Sequence, residues 1–216
     1  MAPKLIYFDI YGRGELVRMV LRQAGVDFED ERIQRDKWAE YKQANPERAV
    51  PSRPGSGFLV LEDGRVNGQS RAIARYVAKQ HGLAGSNDFE SAQIDMITDG
   101  FEDFLMTFLP FFREMLGGGN DEAKMAEIVK EIREGAGKHL QSMENFLKKN
   151  GTGWYVGSKV SWADLGIADA LDRMNGAQGV LPNVLADYPQ IQANIAKVKE
   201  LPNIKKYLES RPQCPY

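Results

Sequence analysis

Every strand-like run in this chain of 216 residues falls before Gly68, and past Gly85 only helical spacing remains. Strand signals confined to the first part and helical spacing alone in the rest give a small α/β unit followed by a larger all-helical one. KLIYF (4–8) is a short apolar-aromatic run bounded by the turn-prone DIYGRG, as a buried strand is. Leu16, Val17, Val20, Leu21 and Ala24 then recur at helical spacing until Gly25. FEDERI (28–33) reads as an edge strand charged enough to face water, and residues 36–44 as a short helix. FLVLE (58–62), Asp63-Gly64 and RVN (65–67) read as a hairpin. Ser70 is expected to cap the helix AIARYVAK, with Gly82 near its end. The predicted order is β-α-β-α-β-β-α, and parallel pairing of the first two strands requires a right-handed crossover.

The remainder carries helical spacing over 88–116, 121–149, 161–175 and 187–199, with a last helix after Pro202 over 203–210. GGGND and NGTG are the breaks, and Ser161-Trp162-Ala163-Asp164 has the spacing of a capping box. The expected division is 1–82 for the first domain and 83–216 for the second.

Composition excludes several function classes. A net charge of −2 with interspersed signs lacks the clustered basic excess of a nucleic-acid surface. No apolar run reaches the ~18 residues of a membrane span. MAPKLIYF enters a strand without a secretory leader pattern, and Cys214 is the one cysteine, so no internal disulfide forms. A cytoplasmic location is expected. His81 and His139 stand apart from other metal-ligand residue types, so no metal site is expected, and the acids Asp99, Glu102 and Asp103 read as a solvated face.

Read from the residues alone, the chemistry-bearing positions keep two readings each. Tyr7 either packs in its strand or aims a hydroxyl, and Arg13 either charges the turn or pairs with Glu15. Trp38 and Lys42, four apart, share a helix face. Gln69 and Ser70 open a helix, whose N-terminal amides suit a carboxylate. Asp103 is otherwise a helix-surface acid.

KLIYFDIYGRGE, Trp38 with Lys42, GQSRAIARYVAKQHGLAG and VSWAD together resemble a cytosolic glutathione S-transferase, from Lys4 to the closing ESRPQCPY. The strand-ending tyrosine, the Gly-Arg-Gly-Glu turn and Gln-Ser-x-Ala-Ile-Ala-Arg-Tyr resemble the sigma class, which includes prostaglandin D synthases and S-crystallins. The resemblance implies a thioredoxin-like N-terminal domain, an all-α C-terminal domain and a homodimer. It also implies glutathione as co-substrate, with no metal.

Under that resemblance, Tyr7 with Arg13 stabilises the glutathione thiolate, because a free thiol of pKa ~8.5 is mostly protonated at neutral pH. Gln69 and Ser70 take the γ-glutamyl carboxylate, and Asp103 reaches a partner's γ-glutamyl amine. Trp38 and Lys42 meet the glycyl carboxylate. Val50, before Pro51, pairs with the cysteinyl backbone, and Pro51 or Pro54 is the cis proline. The longer family-relative spacing leaves SRPGSGF (52–58) as a seven-residue insertion behind it. Phe8, Ile10, Tyr11, Arg13, Leu105 and Gly166 are implied for the electrophile, between the domains. The implied activity is conjugation of small hydrophobic electrophiles, with peroxide reduction by the same thiolate. The alternatives are a ligandin or S-crystallin-like structural protein and a prostaglandin H to D isomerase.

Overall fold

The computed structural model describes residues 2–46, 58–116, 121–176 and 179–214. The expected Val50-Pro51 pair and residues 52–57 of the insertion lie outside the described residues. The elements are β1 (Lys4–Phe8), α1 (Gly12–Gln23), β2 (Glu29–Ile33), α2 (Trp38–Ala44), β3 (Phe58–Val60), β4 (Val66–Gly68) and α3 (Ser70–Gln80). There follow α4 (Asp88–Met106), α5 (Leu109–Leu116), α6 (Glu122–Asn150), α7 (Trp162–Asn175), α8 (Pro189–Lys199) and α9 (Pro202–Ser210). Among the described residues no helix is long and apolar enough to cross a membrane.

The four strands form one mixed sheet in the order β2-β1-β3-β4, the thioredoxin-like layout that was expected. β1 and β2 are parallel, with Tyr7 opposite Arg32, whereas β3 runs antiparallel to both β1 and β4. The hairpin turns at Gly64 (φ +84), where the Arg65 amide reaches Asp63 Oδ1 at 3.1 Å. Leu5, Ile6 and Tyr7 are consecutive and all buried, because helices cover both faces of the strand. The pleat divides them. Ile6 joins Ile33, Trp38 and Phe58 on the α2 side, while Leu5 and Tyr7 line a cavity with Val17 and Ile73 of α1 and α3.

The chain divides into two compact units, Met1–Ala84 with Lys199–Tyr216, and Gly85–Val198. Helical spacing alone assigns the last eighteen residues to the helical part, but contacts place them with the α/β unit. α9 packs on α1, burying Ile204 and Tyr207. The period of a helix says which face it buries, not against which partner.

Two elements differ from expectation. The single helix read over 88–116 is two, α4 and α5, separated at Thr107-Phe108. Pro110 explains the break, since a continuous helix would lose the hydrogen bond to Met106 and clash with that carbonyl. Ser70 is not the N-cap of α3 but its first helical residue. Gln69 holds the cap position, and its carbonyl accepts the Ile73 amide at 3.0 Å.

In the second unit the capping box forms around a buried carboxylate. Asp164 accepts from the Ser161 amide at 2.8 Å, the Ser161 hydroxyl at 2.7 Å, the Tyr155 amide at 2.9 Å and Asn194 Nδ2 at 3.1 Å. Burial pushes this carboxyl above the usual carboxylate range, and the four donors pull against it.

Candidate active site

Tyr7 is 7% exposed, and its hydroxyl accepts the Arg13 amide at 3.3 Å. That amide belongs to the first turn of α1, whose N–H groups have no partner within the helix. Because the phenol oxygen is the acceptor there, its own hydrogen remains available to donate. Burial raises the Tyr7 pKa, against which the Arg13 amide and the charges of Arg13 and Arg18 act. The group is therefore a neutral donor at physiological pH.

The Gly-Arg-Gly turn permits this approach. A Cβ on Gly14 would lie 2.5 Å from Tyr7 Cδ1, and one on Gly12 would lie 3.0 Å from the Tyr7 hydroxyl. Gly12 also has φ +42, where a side chain is strained. The sequence marks these glycines as a turn, whereas their second role, giving the tyrosine ring its seat, appears only in three dimensions.

Gln69 faces the same cavity with Ser70 and Arg13. The cavity holds about 20 Å³, room for roughly one water molecule above an apolar floor of Leu5 and Val17. Gln69 has φ +66 and ψ +109, an uncommon conformation for a non-glycine residue that costs about 1–3 kcal/mol. Strain of this kind persists where the surrounding structure enforces it, often at ligand sites. Here it falls at the start of α3, where Gln69 and Ser70 line the same cavity as Tyr7.

Trp38 begins α2 and is 6% exposed, stacked on Tyr41 at 5.9 Å and against Phe8 at 4.6 Å. Its indole nitrogen is buried without a hydrogen-bond partner among the described residues, which suits a donor awaiting an acceptor. Lys42 is exposed on the same helix. Phe8, expected on the electrophile side, is half-buried, packed against the Trp38 cluster and edge-on to the Tyr7 ring at 5.4 Å. Tyr11 is buried beside the C-terminal segment, donating to the Pro212 carbonyl at 3.3 Å and to Gln213 Oε1 at 3.4 Å. Ile10 is half-buried in the turn before α1. Asp103 and Leu105, on α4, and Gly166, on α7, belong to the second unit. Asp103 is exposed, and Leu105 and Gly166 are half-buried.

Glu15 is engaged by Arg18 at 3.2 Å, Tyr207 at 2.9 Å and Arg211 at 3.0 Å. Sequence reasoning placed it only opposite Arg13. The i,i+3 spacing of Glu15 and Arg18 was the available signal. Nothing local announces the two partners that come from the end of the chain.

Residues 3–79 match the glutathione S-transferase N-terminal domain and residues 101–211 the glutathione S-transferase C-terminal domain. Glutathione S-transferase 1 of Ascaris suum is 42% identical over 215 residues, covering 99% of this chain and 98% of its own. The crystal structure of the glutathione S-transferase from Ascaris lumbricoides has a TM-score of 0.86 at 39% identity, covering 100% of both chains. A glutathione S-transferase from the hookworm Necator americanus, described as monomeric, has a TM-score of 0.85 at 34% identity over 100% of both. Two domain matches in order, relatives spanning the whole length, and a buried strand-one tyrosine beside a helix N-terminus converge: the chain belongs to the glutathione S-transferase family of enzymes.

Proposed function

We propose that the protein conjugates glutathione to small hydrophobic electrophiles, with Tyr7 donating a hydrogen bond to the glutathione sulfur and holding it as thiolate. The observation that carries this reading is the buried Tyr7 hydroxyl, fixed by the Arg13 amide with its proton free and facing the opening of α3. A hydrogen bond to the charged form lowers the thiol pKa and enlarges the nucleophilic fraction at neutral pH. The positive end of α3, at Gln69-Ser70, receives the γ-glutamyl carboxylate. The Trp38 indole N–H and Lys42 receive the glycyl carboxylate, and the Val50 backbone pairs with the cysteinyl unit ahead of Pro51. The bound thiolate also reduces organic peroxides. The motifs around Tyr7 and Ser70 support a sigma-class-like enzyme, working in the cytoplasm.

In this reading the enzyme is a homodimer in which Asp103 reaches the partner's γ-glutamyl amine. Phe89 and Met96 are 72% and 51% exposed, and with Asp103 they recur at seven-residue spacing. Seven residues are nearly two turns, so the three share one stripe of α4. Two exposed apolar side chains in line with Asp103 support burial of this stripe against a second copy.

The test is the pH dependence of conjugation to a nitroaromatic acceptor. The rate is expected to rise with a midpoint below the ~8.5 of a free thiol. It should then stay level to at least pH ~10, because burial keeps the phenol protonated and able to donate. A midpoint equal to that of free glutathione would refute thiolate stabilisation. Gly14→Ala supplies a separate check. The added methyl must displace the Tyr7 ring, and a misplacement near 1 Å costs roughly 100-fold in kcat/KM. The melting temperature should fall by roughly 2–12 °C, as for overpacking that costs about 1–3 kcal/mol.

A further inference from the structure

Glu15 and Arg18 are both fully buried on α1, and neither belongs to the glutathione-binding set. Arg18 donates through Nε to Asp30 at 3.0 Å and through Nη1 to the Ile10 carbonyl at 3.0 Å, besides Glu15. Its guanidinium carbon lies 5.9 Å from the centroid of the Tyr7 ring, within cation–π reach. The second Glu15 oxygen is held by Tyr207 and Arg211. The Arg211 guanidinium in turn lies 4.6 Å over the Tyr11 ring, whose hydroxyl donates back to Pro212. Arg32 of β2 shares Asp30 with Arg18 at 2.8 Å, and it reaches Asp9 and the Cys214 sulfur, each at 3.5 Å. The turn that carries the Arg13 amide to Tyr7 is thus gripped from beneath at Ile10 and Tyr11. A buried ion network adds little net stability over an apolar filling, so geometry is the better account of its presence.

We propose that the segment from Tyr207 to Gln213 is a strap that positions Tyr7, acting through Glu15 and Arg18 on the Ile10–Arg13 turn. Tyr207, Arg211, Glu15 and Arg18 are then positioning residues. The inference rests on the reading that Tyr7 stabilises the thiolate.

The experiment follows the ultraviolet absorbance of the bound glutathione thiolate against pH, with kcat and KM for nitroaromatic conjugation. Tyr207→Phe and Arg211→Ala are each expected to raise the bound-thiol pKa by roughly half to one unit, a three- to tenfold loss of thiolate below that pKa. At neutral pH kcat should fall by the same factor while the glutathione KM changes less than about twofold. Arg211→Lys, which keeps a cationic donor, should recover most of the loss. Added to Tyr7→Phe, either strap variant should raise the pKa no further, because the effect passes through Tyr7. If the strap variants leave the pKa unchanged while Tyr7→Phe raises it, the strap fails and the Tyr7 reading stands. If Tyr7→Phe itself changes nothing, both fail. A strap effect additive with Tyr7→Phe overturns the relay. Tyr207→Phe removes one oxygen and keeps the ring, so it decides the matter if Arg211→Ala does not fold.

Discussion

Tyr7→Phe is expected to lower kcat at neutral pH by roughly 10- to 100-fold while leaving glutathione affinity within a few-fold. A hydrogen bond to a charged group is worth about 1.5–3 kcal/mol. Lost from the thiolate, that energy raises the thiol pKa by about one to two units. The rate falls with the thiolate fraction, so the deficit should shrink as pH rises past the shifted pKa. The fold should lose little. The ring keeps its seat against Gly14, and only one 3.3 Å hydrogen bond, from Arg13, disappears. Steady-state kinetics from pH 6 to 10, paired with thermal melting, separate the two effects. Turnover equal to the parent at neutral pH would remove Tyr7 from the mechanism.

Asp164→Ala carries the largest expected cost in stability. Truncation strands two backbone amides, one hydroxyl and one side-chain amide that now converge on a single carboxylate. An unsatisfied buried donor costs about 1–3 kcal/mol, and partial relaxation makes the sum less than additive, so about 4 kcal/mol is expected. For a chain of this size that corresponds to a drop of roughly 8–16 °C in melting temperature. Ser161→Ala leaves the Tyr155 and Asn194 contacts in place and should cost only about 1 kcal/mol. Denaturant and thermal unfolding of both variants measure the difference. Equal losses would mean that the hydroxyl, not the carboxylate, organises the node.

The residues that sequence reading placed well are those whose signal is local. β1 is an apolar run closed by a turn, so Tyr7 and its burial follow from a handful of neighbours. The capping box is a four-residue pattern, and it forms where the pattern stands. Side-chain preference favours Ser70 as a cap, which sets the start of α3 one residue too late. The positive φ of Gln69, which sets the true boundary, belongs to no propensity scale. Phe8 closes β1 with its ring between two others, 5.4 Å from that of Tyr7 and 4.6 Å from that of Trp38, a bridging position that strand alternation alone does not announce. The partners of Glu15 were the least legible. Arg18 is three residues away, but Tyr207 and Arg211 are 192 and 196 residues distant and meet it only through the return of the chain end.

That return has a consequence for biosynthesis. A ribosome releases the α/β unit's strands and first helices long before α9, yet the unit is complete only with residues from 199 onward. The helical unit, Gly85–Val198, is contiguous and can close while the chain is still being made. The unit whose strands come earlier in the sequence is therefore completed after the helical one, because Glu15 meets Tyr207 and Arg211 only once the chain has passed Val198.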